Sequence, residues 1–194
     1  MKTNFFEHIF RTNISKMKSY IPGEQPQNNS FIKLNTNENP YPPSKLILNR
    51  LREACTQELR LYPDPDATRL RSLLSETFGK QPEQFIVGNG SDELLTILIR
   101  SFVGENDRIA YAYPTYGYYQ PLIDVQGAKA VVIEYPDDFS LPAGLADADA
   151  NLTFLVNPNS PSGTLLPVGI LDDLASSVNG VLAIDEAYVD FSTG

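Results

Sequence analysis

The sequence predicts an α/β fold in which a mostly parallel β-sheet carries helices on both faces and follows an irregular N-terminal arm. Short apolar runs alternate with stretches of helical periodicity along residues 85–184, and this β-α-β-α order is typical of parallel sheets. Most of the runs are continuously apolar, as is usual for strands that are covered on both faces. Residues 1–43 are instead interrupted by prolines and rich in Asn and Gln, which predicts irregular structure there.

Two helices are predicted between the arm and the first strand. Ser44 is a good N-cap for a helix whose apolar residues recur at helical spacing as far as Leu59. Cys55 lies on that apolar face, so we expect it to be a core residue. A second helix follows the proline-rich break after Tyr62, and Gly79 can terminate it.

The predicted strands are the β-prone runs 85–87, 109–111, 130–133, 152–156 and 181–184. A helix with apolar residues from Leu94 to Phe102 separates the first two runs, and Ser91 is expected to cap it. Proline inside a helix costs about 3 kcal/mol. We therefore place Pro121 and Pro167 each at the first position of a helix, where the missing N–H has little effect.

Composition excludes several classes of function. Fifteen Lys and Arg against 24 Asp and Glu give a formal net charge of -9, which disfavours binding to nucleic acid or to anionic membrane surfaces. The sequence has no apolar run of the length that a signal peptide or a membrane span needs. A single cysteine fits a reducing compartment. We expect a soluble cytoplasmic protein and assign no role to its one histidine, His8.

Ligands of parallel sheets bind beyond the carboxyl ends of the strands, and the residues at those positions are rich in functional types. Gly88–Glu93 follows the first run and offers helix N-terminal amides to a phosphate, although an ordinary turn and N-cap is the better interpretation of this segment alone. Tyr113–Tyr119 is an aromatic segment that suits either packing or a flat ligand. Asn157–Gly163 is a rigid turn that presents amides and hydroxyls, with an ordinary loop as the alternative.

Asp185 follows the last apolar run, where burial of a carboxylate is costly unless it meets a cation or hydrogen-bond donors. We therefore expect it to have a partner. The alternatives are a helix-capping Asp or the magnesium-binding acid of a P-loop nucleotidase, but the sequence contains no G-x-x-x-x-G-K-[ST] motif. A dinucleotide-binding motif is also disfavoured, because Glu93 stands where G-x-G-x-x-G needs its third glycine.

Together these segments resemble the fold type I pyridoxal-phosphate aminotransferases and, within them, the histidinol-phosphate aminotransferases. The similarity runs from about Leu34 to the last residue. Six segments in this order are a specific signal, whereas each one alone is weak. They are Asn35–Pro42, Tyr62–Asp64, Gly88–Glu93, Pro114–Tyr116, Asn157–Gly163 and Asp185–Tyr188.

The resemblance implies a set of residues that bind pyridoxal 5'-phosphate. Asp185 would pair with the protonated ring nitrogen, Tyr188 would contact the phenolic oxygen, and Tyr116 would stack on the ring. Asp185 and Tyr188 are thus the implied catalytic residues. The implied phosphate ligands are the backbone amides of Ser91, Asp92 and Glu93.

The resemblance also implies a homodimer that acts on a small-molecule amino donor and acceptor. Tyr62 would reach the phosphate from the neighbouring subunit, while Asn37, Asn39 and Tyr41 would line the substrate entrance. Residues 1–43 would then be an arm with part of the small domain, and residues 44–194 the first part of the cofactor-binding large domain. No metal is implied.

The sequence departs from the family pattern in two places. Ser160 stands where many members carry an Asn that contacts the phenolic oxygen, so Asn157 or Asn159 would take that contact. No lysine follows Asp185–Tyr188 in the S-x-x-K context of the residue that binds the cofactor covalently. We therefore expect a truncated chain that is inactive by itself.

The implied reaction transfers an amino group between histidinol phosphate or imidazole-acetol phosphate and glutamate or 2-oxoglutarate, in histidine biosynthesis. Another aminotransferase of class I or II, such as an aromatic one, and a phosphothreonine decarboxylase-like enzyme are alternatives within the fold. A non-catalytic fragment that only dimerises is the alternative from a different class.

Overall fold

The computed structural model describes residues 9–17, 23 and 32–192. His8 and much of the predicted arm lie outside these residues. The chain divides into two compact units, one of residues 21–87 and one of residues 88–194 together with the first 20 residues. The domain boundary placed after residue 43 stays a prediction.

The described residues form helices and strands in the order that the sequence predicts from residue 88 onward. The helices are α1 (Thr12–Lys16), α2 (Lys45–Ala54), α3 (Thr68–Phe78), α4 (Ser91–Phe102), α5 (Tyr119–Gln126) and α6 (Val168–Ser177). The strands are β1 (Arg108–Tyr113), β2 (Lys129–Glu134), β3 (Leu152–Val156) and β4 (Val181–Asp185). Short 3₁₀ turns lie at Gln57–Arg60, Pro82–Gln84 and Val189–Phe191.

The two helices predicted before the first strand are present in the unit of residues 21–87, although the first ends at Ala54 and does not reach Leu59. The Ser44 hydroxyl accepts a hydrogen bond from the Ile47 amide at 3.3 Å and caps α2. Gly79, with φ of 65°, ends α3 in the left-handed conformation that glycine adopts most easily. The carboxylate of Asp64 accepts the Thr68 amide at 2.7 Å, and these hydrogen bonds hold the pKa of Asp64 below its usual value.

The prediction that Cys55 is a core residue was wrong. Cys55 is exposed and forms the C-cap of α2, and its thiol donates to the Leu51 carbonyl at 3.2 Å. None of the residues of α2 is buried. Helical periodicity identifies the residues that share a face, but it does not tell whether another element covers that face.

The strand predicted at residues 85–87 was also wrong, because this segment has no regular secondary structure. A strand exists only where a neighbour accepts its hydrogen bonds. Among the described residues the sheet consists of β1 to β4, and none of them pairs with residues 85–87. A short apolar run is therefore necessary but not sufficient for a strand.

The four strands form one parallel sheet in the order β2-β1-β3-β4. Side chains of alternate strand residues build two cores. One core joins α4 and α5 to Phe154 and its neighbours, and the other joins α6 and residues 145–150 to Leu155. The predicted α/β class with helices on both faces of the sheet is thereby confirmed.

Three local expectations need correction. Pro121 is the third residue of α5 and Pro167 is the N-cap of α6, so each lies near, but not at, the first helical position. Both sites still avoid the cost of a lost helical hydrogen bond. The arm, predicted as irregular, contains α1, where the Asn13 side chain donates to the Asp124 carbonyl at 2.6 Å. This contact with α5 is tertiary and could not be read from local composition.

Candidate active site

A pocket lies beyond the carboxyl ends of β3 and β4, where ligands of parallel sheets bind. Four of the segments that follow apolar runs in the sequence contribute to it. The lining residues are Ser91, Tyr116, Val156, Ser160, Asp185, Ala187 and Tyr188. Residues as far apart in the chain as Ser91 and Tyr188 therefore meet at one place, beyond the carboxyl ends of a parallel sheet.

Asp185 accepts two hydrogen bonds, as expected for a carboxylate at the end of an apolar strand. Its Oδ2 accepts a hydrogen bond from the Tyr119 hydroxyl at 3.2 Å, and its Oδ1 accepts the Ala187 amide at 3.1 Å. The Ala187 contact is a local turn, which alone would fit a simple cap. The Tyr119 contact spans 66 residues and is not explained by local turn geometry. Asp185 is only half-buried and still faces the pocket.

The N-terminus of α4 reaches the same pocket through Ser91. Gly90 is the N-cap, with φ of 79° and no side-chain cap, so the expectation that Ser91 is the capping residue was wrong. Ser91 is instead the first helical residue, whose amide has no partner within the helix. The carboxylate of Glu93 folds back to accept the Asn89 amide, which fixes the turn before the helix.

Tyr116 is held by both its hydroxyl and its ring. The hydroxyl donates to Oδ1 of Asp92 at 2.9 Å. The ring lies edge-on to Tyr119, with centroids 5.8 Å apart and planes at 87°, a favourable geometry for aromatic pairs. Tyr116 therefore presents its ring to the pocket in a fixed orientation.

The two asparagines of the loop after β3 hold the loop together. Asn157 donates to the Leu166 carbonyl at 3.2 Å and accepts the Leu166 amide at 2.7 Å. Asn159 donates to the Pro114 carbonyl and accepts the Thr115 hydroxyl at 2.9 Å. Both side chains are buried, whereas Ser160 lines the pocket. A role for Asn157 or Asn159 in cofactor binding stays a prediction, and the geometry favours Ser160.

Comparison with known proteins identifies the family. Residues 29–194 match the family described as aminotransferase class I and II. The chain belongs to this family. It spans about half the length of the curated relatives that it matches.

Two of those relatives and one solved structure illustrate the similarity. This chain is 45% identical over 186 residues to the histidinol-phosphate aminotransferase of Rhodopirellula baltica, a match that covers 94% of the chain and 51% of the relative. It is 46% identical to histidinol-phosphate aminotransferase 1 of Trichormus variabilis, covering 95% and 53%. The crystal structure of the Sinorhizobium meliloti histidinol-phosphate aminotransferase in complex with pyridoxal-5'-phosphate superposes with a TM-score of 0.74 at 25% identity, covering 81% of this chain and 44% of that one.

The remaining predicted site residues of this chain lie in the unit of residues 21–87. Tyr62 is 92% exposed, and Tyr41 is also exposed. Asn37 adopts a left-handed φ of 52°, and the side chain of Asn39 accepts the Tyr41 amide at 2.9 Å. Beside them, Lys33 pairs with Glu38 and lowers the pKa of that carboxyl. The roles of these residues stay predictions.

Tyr119 is the residue at this site whose role sequence reasoning missed. The sequence places it in the aromatic segment Tyr113–Tyr119, but nothing local separates it from Tyr116 or Tyr118. The available signal was its position at the start of an amphipathic helix, which turns it towards the sheet. Among the described residues, no group of acidic, His or Cys side chains could hold a metal ion, and no helix is long and apolar enough to cross a membrane.

Proposed function

We propose that this chain is the N-terminal half of a pyridoxal-phosphate-dependent aminotransferase of the histidinol-phosphate type. The enzyme would exchange an amino group between histidinol phosphate or imidazole-acetol phosphate and glutamate or 2-oxoglutarate in histidine biosynthesis, in the cytoplasm. The observation that carries the proposal is the carboxylate of Asp185, which faces a pocket shared with an aromatic ring and a helix N-terminus. The curated relatives that share this half of the chain support the choice of substrate.

The donor set of the pocket fits pyridoxal 5'-phosphate. This ligand combines a flat ring, a basic ring nitrogen, a phenolic oxygen and a phosphate. A carboxylate at Asp185, the ring of Tyr116 and the hydroxyls of Ser160 and Tyr188 surround one cavity with Ser91 at the start of α4. Each chemical group of the ligand therefore has a matching type of protein group in this pocket.

Each residue then has a defined task. Asp185 would hold a proton on the ring nitrogen, because a carboxylate beside that nitrogen stabilises its protonated form. Tyr116 would lie against the ring, fixed by its hydrogen bond to Asp92. The amides of Ser91, Asp92 and Glu93 would bind the phosphate at the helix N-terminus. When bound, the cofactor supplies an electron sink for charge that develops on the substrate.

Amino transfer by the full-length polypeptide that contains this chain tests the proposed reaction. Purified protein would be incubated with pyridoxal 5'-phosphate, 2-oxoglutarate and one amino donor at a time. We expect glutamate formation from histidinol phosphate with a kcat/KM at least about tenfold above that with phenylalanine or tyrosine. Release of CO₂ from phosphothreonine without glutamate formation would instead identify a decarboxylase, and failure to bind the cofactor would identify a non-catalytic protein.

The proposed homodimer has its own test, because Tyr62 would serve the active site of the partner subunit. One full-length subunit carries Tyr62→Ala and the other carries Asp185→Ala, each nearly inactive as a homodimer. In a mixed dimer, one site then has both defects and the other has neither. Because one of the two sites of this two-fold dimer is then intact, each heterodimer should have about half of the wild-type activity.

Heterodimers would be isolated with two different affinity tags, and circular dichroism would show that both variants fold. If Tyr62 serves its own subunit, every site of the mixed dimer keeps one defect. Folded heterodimers without recovered activity would therefore contradict the shared site.

A further inference from the structure

A buried tyrosine hydroxyl contacts the carboxylate of the proposed cofactor site from behind. Tyr119, the first residue of α5, is 0% exposed, and its hydroxyl donates to Oδ2 of Asp185 at 3.2 Å. Its ring stacks on Phe154 of the neighbouring strand β3, with centroids 4.7 Å apart and planes within 6°. The ring position is therefore fixed by the core, and it places the hydroxyl at Asp185.

Packing alone does not account for the hydroxyl of Tyr119. A phenylalanine would fill the same space and stack on Phe154 equally well, without the cost of burying a polar group. The hydroxyl finds its compensation in the hydrogen bond to Asp185. This contact crosses from one helix to the end of a strand, so it joins two elements of the site.

The two donors to Asp185 leave its carboxylate in a single orientation. Tyr119 holds Oδ2 from the side of α5, and the Ala187 amide holds Oδ1 from the turn after β4. A carboxylate offers about four acceptor positions, so acceptor capacity remains for a ligand in the pocket. Burial and the neighbouring charge of Asp185 raise the pKa of Tyr119 above its ordinary value. The hydroxyl thus stays protonated and remains a donor throughout the neutral and moderately alkaline range.

We propose that Tyr119 is the positioning residue of this site, and that its hydroxyl aims the Asp185 carboxylate at the ring nitrogen of the bound cofactor. The inference rests on the proposed function and extends it from the residues that line the pocket to one that lies behind them. Tyr119 is not among the pocket-lining residues, so it acts through Asp185. Its role is distinct from that of Tyr116, whose ring faces the pocket.

The test compares Tyr119→Phe with Tyr111→Phe in the full-length polypeptide. Tyr111 is the matched control because it belongs to the same core, with its ring 5.8 Å from Tyr119, but its hydroxyl donates to Gln120 at 3.0 Å. Each variant would be measured for pyridoxal 5'-phosphate affinity, for the absorbance spectrum of the bound cofactor, and for kcat and KM. Urea unfolding would report the stability of each variant.

For Tyr119→Phe we expect an affinity for the cofactor about tenfold weaker than in wild type, the usual order for a lost hydrogen bond to a charged group. We also expect a changed absorbance spectrum and a lower kcat at nearly constant KM for the amino donor. Tyr111→Phe should stay within about twofold of wild type in affinity and kcat, since its hydroxyl does not touch Asp185. Equal behaviour of the two variants would overturn the proposal.

A double-mutant cycle keeps the test decisive if Tyr119→Phe also lowers stability. In the Asp185→Asn background, Tyr119→Phe should change cofactor affinity by less than about twofold, because the carboxylate that it positions is gone. A further loss as large as in wild type would show a general packing effect and overturn the proposal. If the wild-type protein binds no pyridoxal 5'-phosphate, the proposed function itself is wrong. If wild type and Tyr119→Phe both bind it normally, only the proposed role of Tyr119 is wrong.

Discussion

The turn that leads into β4 contains a glycine whose replacement should destabilise the protein although the residue is exposed. Gly180 precedes Val181, the first residue of the strand that carries Asp185. A Cβ atom at Gly180 would lie 2.3 Å from the carbonyl oxygen of Ala150 and 2.5 Å from that of Asn151. Both obstacles are backbone atoms, so Gly180→Ala forces either the turn or the start of β3 to move.

The size of the effect follows from these distances. Ordinary van der Waals contact begins at 3.4 Å, so the two segments must separate by about 1 Å, which requires the backbone shift of an overpacked site. Overpacking costs about 1–3 kcal/mol. The hydrogen bond from the Val181 amide to the Asn151 carbonyl, now 3.0 Å, would weaken as well, adding about 1 kcal/mol. We therefore expect Gly180→Ala to lower the free energy of unfolding by about 2–4 kcal/mol.

Urea unfolding followed by circular dichroism and tyrosine fluorescence would measure this loss, since the chain has ten tyrosines and no tryptophan. Gly169→Ala is the matched control, because Gly169 lies inside α6 and a Cβ there meets no atom within 4 Å. The control should be neutral or more stable than wild type by up to about 1 kcal/mol. If Gly180→Ala unfolded within about 0.5 kcal/mol of wild type, the steric argument would be refuted.

Three further predictions concern the site and the stability of the fold. In the full-length polypeptide, Asp185→Asn should lower kcat by about 10³-fold and weaken cofactor binding by a smaller factor. The reason is that a charge pair at 4 Å is worth about 4 kcal/mol at an intermediate dielectric. If the variant had the steady-state kinetics of wild type, Asp185 would have only a structural role in its turn. A polypeptide of these 194 residues alone should form no glutamate above the protein-free rate, since no lysine follows Asp185–Tyr188 in the family context. Burial raises the pKa of Tyr135 from 10.0 to about 12, so the folded state retains the phenolic proton longer than the unfolded state. This stabilising contribution is complete below about pH 10 and is lost as the pH rises towards 12. Between these pH values, urea unfolding should show that the free energy of unfolding falls less steeply with pH in Tyr135→Phe than in wild type.

Features that depend on local chemistry could be predicted from the sequence. Gly79 ends α3 because only a left-handed residue closes that turn easily, and Ser44 caps α2 because its hydroxyl follows a run of prolines at the start of a periodic segment. The convergence of Tyr116 and Asp185 could also be predicted, because each lies at or just beyond the carboxyl end of a parallel strand and such residues meet at one edge of a sheet. Ser91 joins them at the pocket although the run before it is not a strand.

Features that depend on distant partners could not be predicted in the same way. The apolar run at residues 85–87 has the composition of a strand, but whether it pairs depends on the presence of a neighbouring edge. Cys55 has helical spacing, but its burial depends on what covers α2. The partner of Asp185 was expected, whereas its identity as Tyr119 required the packing of α5 against β3.

The loop after β3 shows why residue type alone is a poor guide to ligand contacts. The side-chain amide of Asn157 both donates to and accepts from the backbone of Leu166, as a neighbouring strand would. Asn159 uses both amide hydrogens, on Pro114 and on Ser162, and its oxygen accepts from Thr115. Since a buried amide must satisfy its polar atoms, the hydrogen bonds that give the loop its shape use both amide hydrogens of Asn159 and leave it no donor for a ligand. The loop therefore meets the pocket through the smaller Ser160 hydroxyl.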